Sequence, residues 1–180
     1  MSNWASVAKR IRVSLGFAFA MLYLWLAHPN AWSLASGIAV AALGLMIRAV
    51  ASGHVRKNET LTTSGPYAYV RNPLYLGSVI TAAGFTIVGR SGWIALAMVL
   101  IFVLIYLPVI RAEESFLRER FAEFGQYAEH VPRLLPRRSP FGTRGPFSWE
   151  LYWKHREYNA FLGAALMIAA LAIKMLWFTN

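Results

Sequence analysis

Cysteine and aspartate are both absent from the 180-residue chain. Without cysteine there are no disulfides, thiol nucleophiles, zinc knuckles or iron–sulfur clusters. Without aspartate there is no aspartyl-phosphate chemistry and no Ser-His-Asp triad. Charge of either sign is scarce: 14% of residues are Asp, Glu, Lys or Arg, against about 25% in an ordinary soluble domain. Apolar residues take their place, at 57% of the chain with a mean hydropathy of +0.44. A soluble chain of this length cannot bury that much apolar surface, so composition points to a membrane. The length suits one domain, residues 1–180, with no room for a second.

Five apolar stretches are long enough to consider as spanning helices: residues 11–27, 32–51, 73–88, 93–110 and 161–178. A span needs about 20 residues, with about 17 as the lower limit, so the third is marginal. His28-Pro29-Asn30 and Gly89-Arg90-Ser91-Gly92 are turns too short to be domains, so spans one/two and three/four form tight antiparallel hairpins. The first stretch lacks a small-x-small cleavage site before His28 and four spans follow it, which argues against a signal peptide. The fold class expected is therefore all-α, a polytopic membrane protein with about five transmembrane helices.

The 18 basic residues are unevenly placed. Lys9, Arg10 and Arg12 precede span one; Arg48, Arg56, Lys57 and Arg71 lie at or between spans two and three; nine more fall from Arg111 to Arg156. Only Arg90 and Lys174 fall on the other side, and Arg48 and Lys174 sit close enough to helix ends to snorkel. The positive-inside rule then puts the N-terminus in the cytoplasm, the C-terminus outside, and the polar segments on the cytoplasmic face. The net charge of +10 is topology plus attraction to anionic lipid, not a nucleic-acid surface. A transporter would need matched halves and mid-membrane charges, and no internal repeat is present.

Two polar segments are patterned. In the first, residues 61–77, Gly65-Pro66 signals a turn. Asn72 before Pro73 reads as an N-cap with proline at the first helical position, so helix three starts there. Its N-terminus, with Arg71 beside it, is an anion site, or else Arg71 rests on lipid phosphate. In the second, helix four continues beyond Pro108. Arg111, Glu114, Ser115 and Arg118 share one face, with Glu113, Leu117 and Phe121 on a neighbouring one. Glu113-Glu114 would accept hydrogen bonds from ribose hydroxyls or an ammonium group, or would simply be solvated. Val131-Pro132-Arg133-Leu134-Leu135-Pro136 reads as extended chain. His54, His130 and His155 read as solvated or headgroup-facing, and Trp149, Tyr152 and Trp153 as an interfacial aromatic belt.

Taken in order, Gly65-Pro66-Tyr67, Arg71, Pro73, Tyr75, Gly77, a helical hairpin, Glu113-Glu114, Leu117, Phe121, Val131-Pro132-Arg133 and Pro136 resemble the isoprenylcysteine carboxyl methyltransferase and phospholipid N-methyltransferase superfamily. The resemblance covers residues 61–136. Asn72 stands where that family usually has His, Ala122 where it has Gly, and residues 137–180, an extra juxtamembrane helix and fifth span, lie outside it.

The resemblance implies an integral membrane methyltransferase that uses S-adenosylmethionine. Its acceptor is the carboxylate or amine head of a lipophilic small molecule or lipid, with the active site at the cytoplasmic face of the cell membrane (an endomembrane if the source is eukaryotic). It also implies a cofactor site from Tyr67, Arg71, Asn72, Tyr75, Gly77, Glu113, Glu114 and Leu117, with no metal. A carboxylate acceptor would want a cation such as Arg111, and an amine acceptor a base such as Glu114. Glu150, Trp153 and Glu157 on the tail are candidate acceptor-side groups. Two alternatives stay open: a membrane reductase of the sterol-reductase type, which would need a dinucleotide site, and a non-enzymatic scaffold or transporter. The split of basic residues carries a topological prediction. A reporter fused after Asn180 should appear outside the cell, and a cytoplasmic signal would end the five-span reading.

Overall fold

The structure is a computed structural model that describes residues 16, 18–56, 59–138, 141 and 145–178. Every regular element among these is helical: α1 over residues 18–26, α2 (Ala31–Ser52), α3 (Pro73–Gly89), α4 (Gly92–Arg120), α5 (Phe124–His130), α6 (Trp149–Lys154) and α7 (Tyr158–Phe178). Helices α2, α4 and α7 are long and apolar enough to cross a membrane, and α3 is a shorter apolar helix. Only part of the expected first span is described. Lys9, Arg10, Arg12, Lys57 and Arg144 lie outside the described residues, as does the C-terminal Asn180.

The hairpin tips meet at one end of the bundle. Asn30 caps α2 through a reciprocal pair, Ser33 N to Asn30 Oδ1 at 2.8 Å and Asn30 N to Ser33 Oγ at 3.0 Å. The His28 amide donates to Gly89 O at 3.0 Å, joining the two tips. Beneath them Tyr23, Ala27, Val88, Ile94 and Leu171 form a buried cluster.

Lys174 was expected to snorkel. Instead its ammonium donates to the carbonyls of Leu24, Trp25 and Ala27, at 2.6, 3.0 and 2.7 Å. The last carbonyls of a helix have no partner within it and carry the negative end of its dipole, so a cation there is doubly favoured. Lys174 thereby ties α7 to α1.

The closest packing in the bundle is α2 against α3. Gly37 and Gly44 on α2 lie opposite Gly84 and Gly77 on α3. A Cβ at Gly44 would overlap the Gly77 carbonyl, and one at Gly84 would overlap the Gly37 carbonyl and the Ala41 backbone. Between helices surrounded by lipid there is no hydrophobic drive to associate, so such backbone contact supplies much of the attraction.

Helix α4 passes through Pro108 without breaking. Pro108 has no N–H for the carbonyl of residue 104 and its ring crowds that carbonyl. The helix widens to a π turn at Phe102–Tyr106, closed by the Leu107 amide on Phe102 O, and this takes up the mismatch. At 1.5 Å per residue, 29 residues reach about 43 Å, beyond a hydrocarbon core of about 30 Å. The excess carries Glu113 and Glu114 into the polar region.

At that polar end, chain 131–138 and Phe141 lie beside chain 68–71. The amides of Arg71, Arg137 and Phe141 donate to Pro132 O, Tyr69 O and Ala68 O, at 2.9, 3.0 and 2.8 Å. Phe124, Tyr127 and Val131 make its small core. The three histidines read as solvated or headgroup-facing donate from Nδ1 to backbone carbonyls, His54 to Val50, His130 to Gln126 and His155 to Ser52, and His130 is exposed.

The glycine contact gives a prediction. Gly84→Leu should force α2 and α3 apart and lower stability by about 1–3 kcal/mol, the usual range for overpacking. Gly163→Leu, where an added Cβ meets nothing within 4 Å, should be neutral. Chemical denaturation in detergent checks both, and equal losses would remove the close contact from the account.

Candidate active site

The site is built where α3 begins and α4 leaves the apolar bundle. Helix α3 starts at Pro73, as the Asn-Pro pair predicts, but the Asn72 side chain makes no cap hydrogen bond. It turns away and donates from Nδ2 to Glu114 Oε1 at 2.8 Å and to Arg133 O at 3.3 Å. Expected as a helix cap beside the cofactor, Asn72 is instead a bridge from α3 to α4 and the following chain, because a buried carboxylate is the stronger acceptor.

Glu114 is the hub of this end. Its side chain is buried, and Arg133 binds Oε2 through Nε and Nη2 at 2.9 and 2.6 Å. Arg71 Nε stands 3.4 Å from Oε1. The Arg133 hydrogen bond to Glu114 raises the guanidinium's pKa above its ordinary value, against the opposing effect of burial. Both carboxylate oxygens are thus engaged by protein groups. Glu113, one residue earlier and about 100° around the helix, points elsewhere and accepts from the Tyr75 hydroxyl at 3.0 Å.

These groups line a cavity of about 430 Å³. Of the residues expected at a cofactor, Tyr67, Arg71, Asn72, Tyr75, Glu113, Glu114 and Leu117 all border it. Gly77 does not: it packs on α2, where an added Cβ would overlap the Gly44 carbonyl and the Arg48 side chain. Arg71 donates from Nη1 to Ala128 O at 3.0 Å, while its Nε is buried and makes no hydrogen bond.

Tyr127 donates its hydroxyl to Tyr67 O at 2.8 Å. Burial pushes the Tyr67 and Tyr127 phenols well above their usual range, so both stay protonated. Tyr127, Phe124, Phe116 and Leu61 complete the apolar wall and had no assigned role in the sequence.

The remaining candidates are dispersed. Arg111 is exposed and does not border the cavity. Glu150 and Trp153 lie exposed on α6, away from it. Glu157 is buried, paired with Arg48, whose side chain turns inward where snorkelling was expected.

With this geometry in view, comparison with known proteins is informative. The phospholipid methyltransferase family matches residues 11–123. The chain belongs to that family. It is 35% identical over 138 residues to the cobalt-zinc-cadmium resistance protein CzcN of Cupriavidus metallidurans, covering 73% of this chain and 62% of that one. It is 32% identical over 126 residues to the nickel-cobalt-cadmium resistance protein NccN of Alcaligenes xylosoxydans xylosoxydans, covering 66% and 58%. The chain therefore spans about three fifths of the length of these relatives. No solved structure matches it. The family match ends just before α5, so Tyr127, Arg133 and Glu157 come from chain beyond it.

The Glu114 hub predicts a stability effect. Glu114→Gln leaves two guanidinium groups without their counter-ion. It should cost roughly 3 kcal/mol, the low end for breaking a buried pair because Arg133 is over a third exposed. Arg111→Gln, at an exposed position, should stay within about 0.5 kcal/mol. Denaturant titration of the two variants compares them directly.

Proposed function

We propose that the protein is an S-adenosylmethionine-dependent methyltransferase of the membrane. It acts on the carboxylate or amine head of a lipophilic acceptor at the cytoplasmic face, with five spans and a cytoplasmic N-terminus. The observation that carries this reading is the pairing of charges across one cavity. Arg71 borders the cavity and its Nη2 makes no hydrogen bond among the described residues, and Glu113 presents a carboxylate bonded only to Tyr75 among them. An amino-acid carboxylate would satisfy the first and ribose hydroxyls the second. The volume lies in the range of ordinary small-molecule sites, about 300–1,000 Å³. The donor set thus fits the cofactor that the family uses, which supplies an electrophilic methyl group when bound.

The protein's own contribution is positioning. Arg71, held by Ala128 O and Glu114, fixes one end of the ligand. Glu113, oriented by the Tyr75 hydroxyl, fixes the other. Tyr67, Tyr75 and Leu117 flank the space between. Glu114 and Asn72 are positioning residues that lock the start of α3 to α4; Gly77 acts one step further back, through the approach of α2. Arg71 is oriented by Ala128 O and Glu114 before any ligand arrives, so little ordering entropy is lost on binding. Against the reductase alternative, the charges fit one carboxylate and one pair of hydroxyls, and among the described residues a dinucleotide's pyrophosphate has no further cation on this wall except Arg56.

The test is a calorimetric titration of detergent-purified protein. S-adenosylmethionine should bind, and nicotinamide dinucleotides should not. Each of Arg71→Ala and Glu113→Gln removes a charge-assisted hydrogen bond of about 1.5–3 kcal/mol, so each should weaken binding about ten- to 150-fold. Glu150→Gln should have no effect. Dissociation constants equal to wild type in both site variants would end the assignment.

A further inference from the structure

A second cavity, of about 760 Å³, lies within the apolar part of the bundle. Its wall is almost entirely apolar, from residues such as Phe85, Met98, Ile101 and Phe102, and exposed Val79, Ile87 and Val99 mark an opening on the lipid-facing surface. One end is different. There Arg48 from α2 and Ser78 from α3 reach the cavity, with Glu157 behind them, just before α7. Tyr106 lines this cavity and Tyr75 the other, and their rings pack edge to face with centroids 6.0 Å apart. The polar end therefore sits beside the proposed cofactor site.

The hydrogen bonds at that end are incomplete in a specific way. Arg48 donates from Nε to Glu157 Oε1, with Nη2 in ionic contact with the same oxygen, and from Nη1 to Ser78 Oγ and to Leu74 O at 3.4 Å. A guanidinium has five N–H groups, and those on Nη2 make no hydrogen bond among the described residues. On Glu157, 8% exposed, both contacts fall on Oε1, and Oε2 makes no hydrogen bond among the described residues. Arg48 and Ser78 thus bring N–H groups and a hydroxyl oxygen to the cavity wall, and Glu157, which is not on that wall, balances the guanidinium charge from behind.

Its charges cancel. An anionic head arriving at Arg48 would meet the Glu157 carboxylate, and a cationic head arriving at Glu157 would meet the guanidinium. Either would lose its water without net attraction. A hydroxyl meets neither obstacle, because it accepts from an Arg48 N–H and donates to Ser78 Oγ, which keeps one free lone pair. The volume suits one chain, being within the range of single-ligand pockets, about 300–1,000 Å³. We infer that this cavity binds a single-chain amphiphile with an uncharged hydroxyl head, seated on Arg48 and Ser78, with Glu157 neutralising the guanidinium from behind. This ligand is distinct from the carboxylate- or amine-headed methyl acceptor proposed above, and its binding site does not rest on the methyltransferase reading.

The experiment measures equilibrium binding of radiolabelled hexadecanol and palmitate to purified protein, with circular dichroism on every sample as the fold control. Wild type should hold hexadecanol at least tenfold tighter than palmitate. Glu157→Gln keeps the shape but strips Arg48 of its counter-ion, so it should reverse that order. Ala95→Phe, which fills the cavity from α4 without touching the polar end, should abolish binding of both. Equal affinities in wild type, a wild-type preference for palmitate, or an order that Glu157→Gln leaves unchanged in folded protein would overturn the inference. S-adenosylmethionine titration of the same samples keeps the two readings apart. Hexadecanol binding without cofactor binding refutes the methyltransferase and retains the cavity, and the converse refutes the cavity alone.

Discussion

Because α2 and α3 touch through glycines, their backbones lie closer than any pair of side chains would permit. That spacing has consequences along the whole hairpin. At one end it brings Ser33 within 3.4 Å of the Val88 carbonyl. At the other it lets Arg48 reach across to Ser78 and the Leu74 carbonyl, which a Cβ at Gly77 would obstruct. The same approach fixes where α3 begins, and so where Arg71 and Asn72 stand relative to α4. A glycine that looks like part of a binding motif in the sequence therefore acts on the site at one remove, through helix spacing.

Glu114 does the corresponding task at the polar end. A buried carboxylate is costly unless its oxygens are matched, and here Arg71 and Asn72 before α3 and Arg133 beyond α5 match them from two separate segments. The arrangement is better understood as specifying geometry than as adding stability, since an apolar replacement of the same shape would also pack. Only one register of α3, α4 and chain 131–136 satisfies all these partners at once. Pro132 contributes by accepting the Arg71 amide through its carbonyl, at 2.9 Å. The prolines that break the helix there leave extended chain free to make this pairing.

Local features were legible in the sequence and tertiary ones were not. Pro73 as a helix start needs only its own ring and the residue before it, and the chain follows that rule. The continuation of α4 through Pro108 was legible from the apolar-to-charged pattern, although the π turn that permits it was not. Arg48 and Lys174 were misjudged for a common reason. Snorkelling describes a lone helix in lipid, whereas in a bundle a carboxylate or a row of unpaired carbonyls on a neighbour is nearer than the headgroups. The division between Glu113 and Glu114 was likewise invisible. Adjacent helical residues point about 100° apart, and only the packed neighbours decide which one faces a cavity and which one faces two arginines.

The C-terminal part of the chain follows from the same electrostatics. The family match ends at residue 123, yet Arg48, inside the matched region, has its counter-ion at Glu157, outside it. An unpaired guanidinium in the apolar part of a bundle would draw in water or distort the helices around it. Glu157 removes that pressure, and Arg156 beside it adopts a left-handed backbone at φ 52° to turn the chain into α7. A non-glycine residue in that region is a local cost, tolerated where surrounding contacts hold the turn. Here those contacts are the buried Arg48–Glu157 pair and the His155 bond to the Ser52 carbonyl at 3.1 Å. The tail is thus built into the bundle by charge pairing, and Arg48 can be held inside the apolar bundle only because the tail is there.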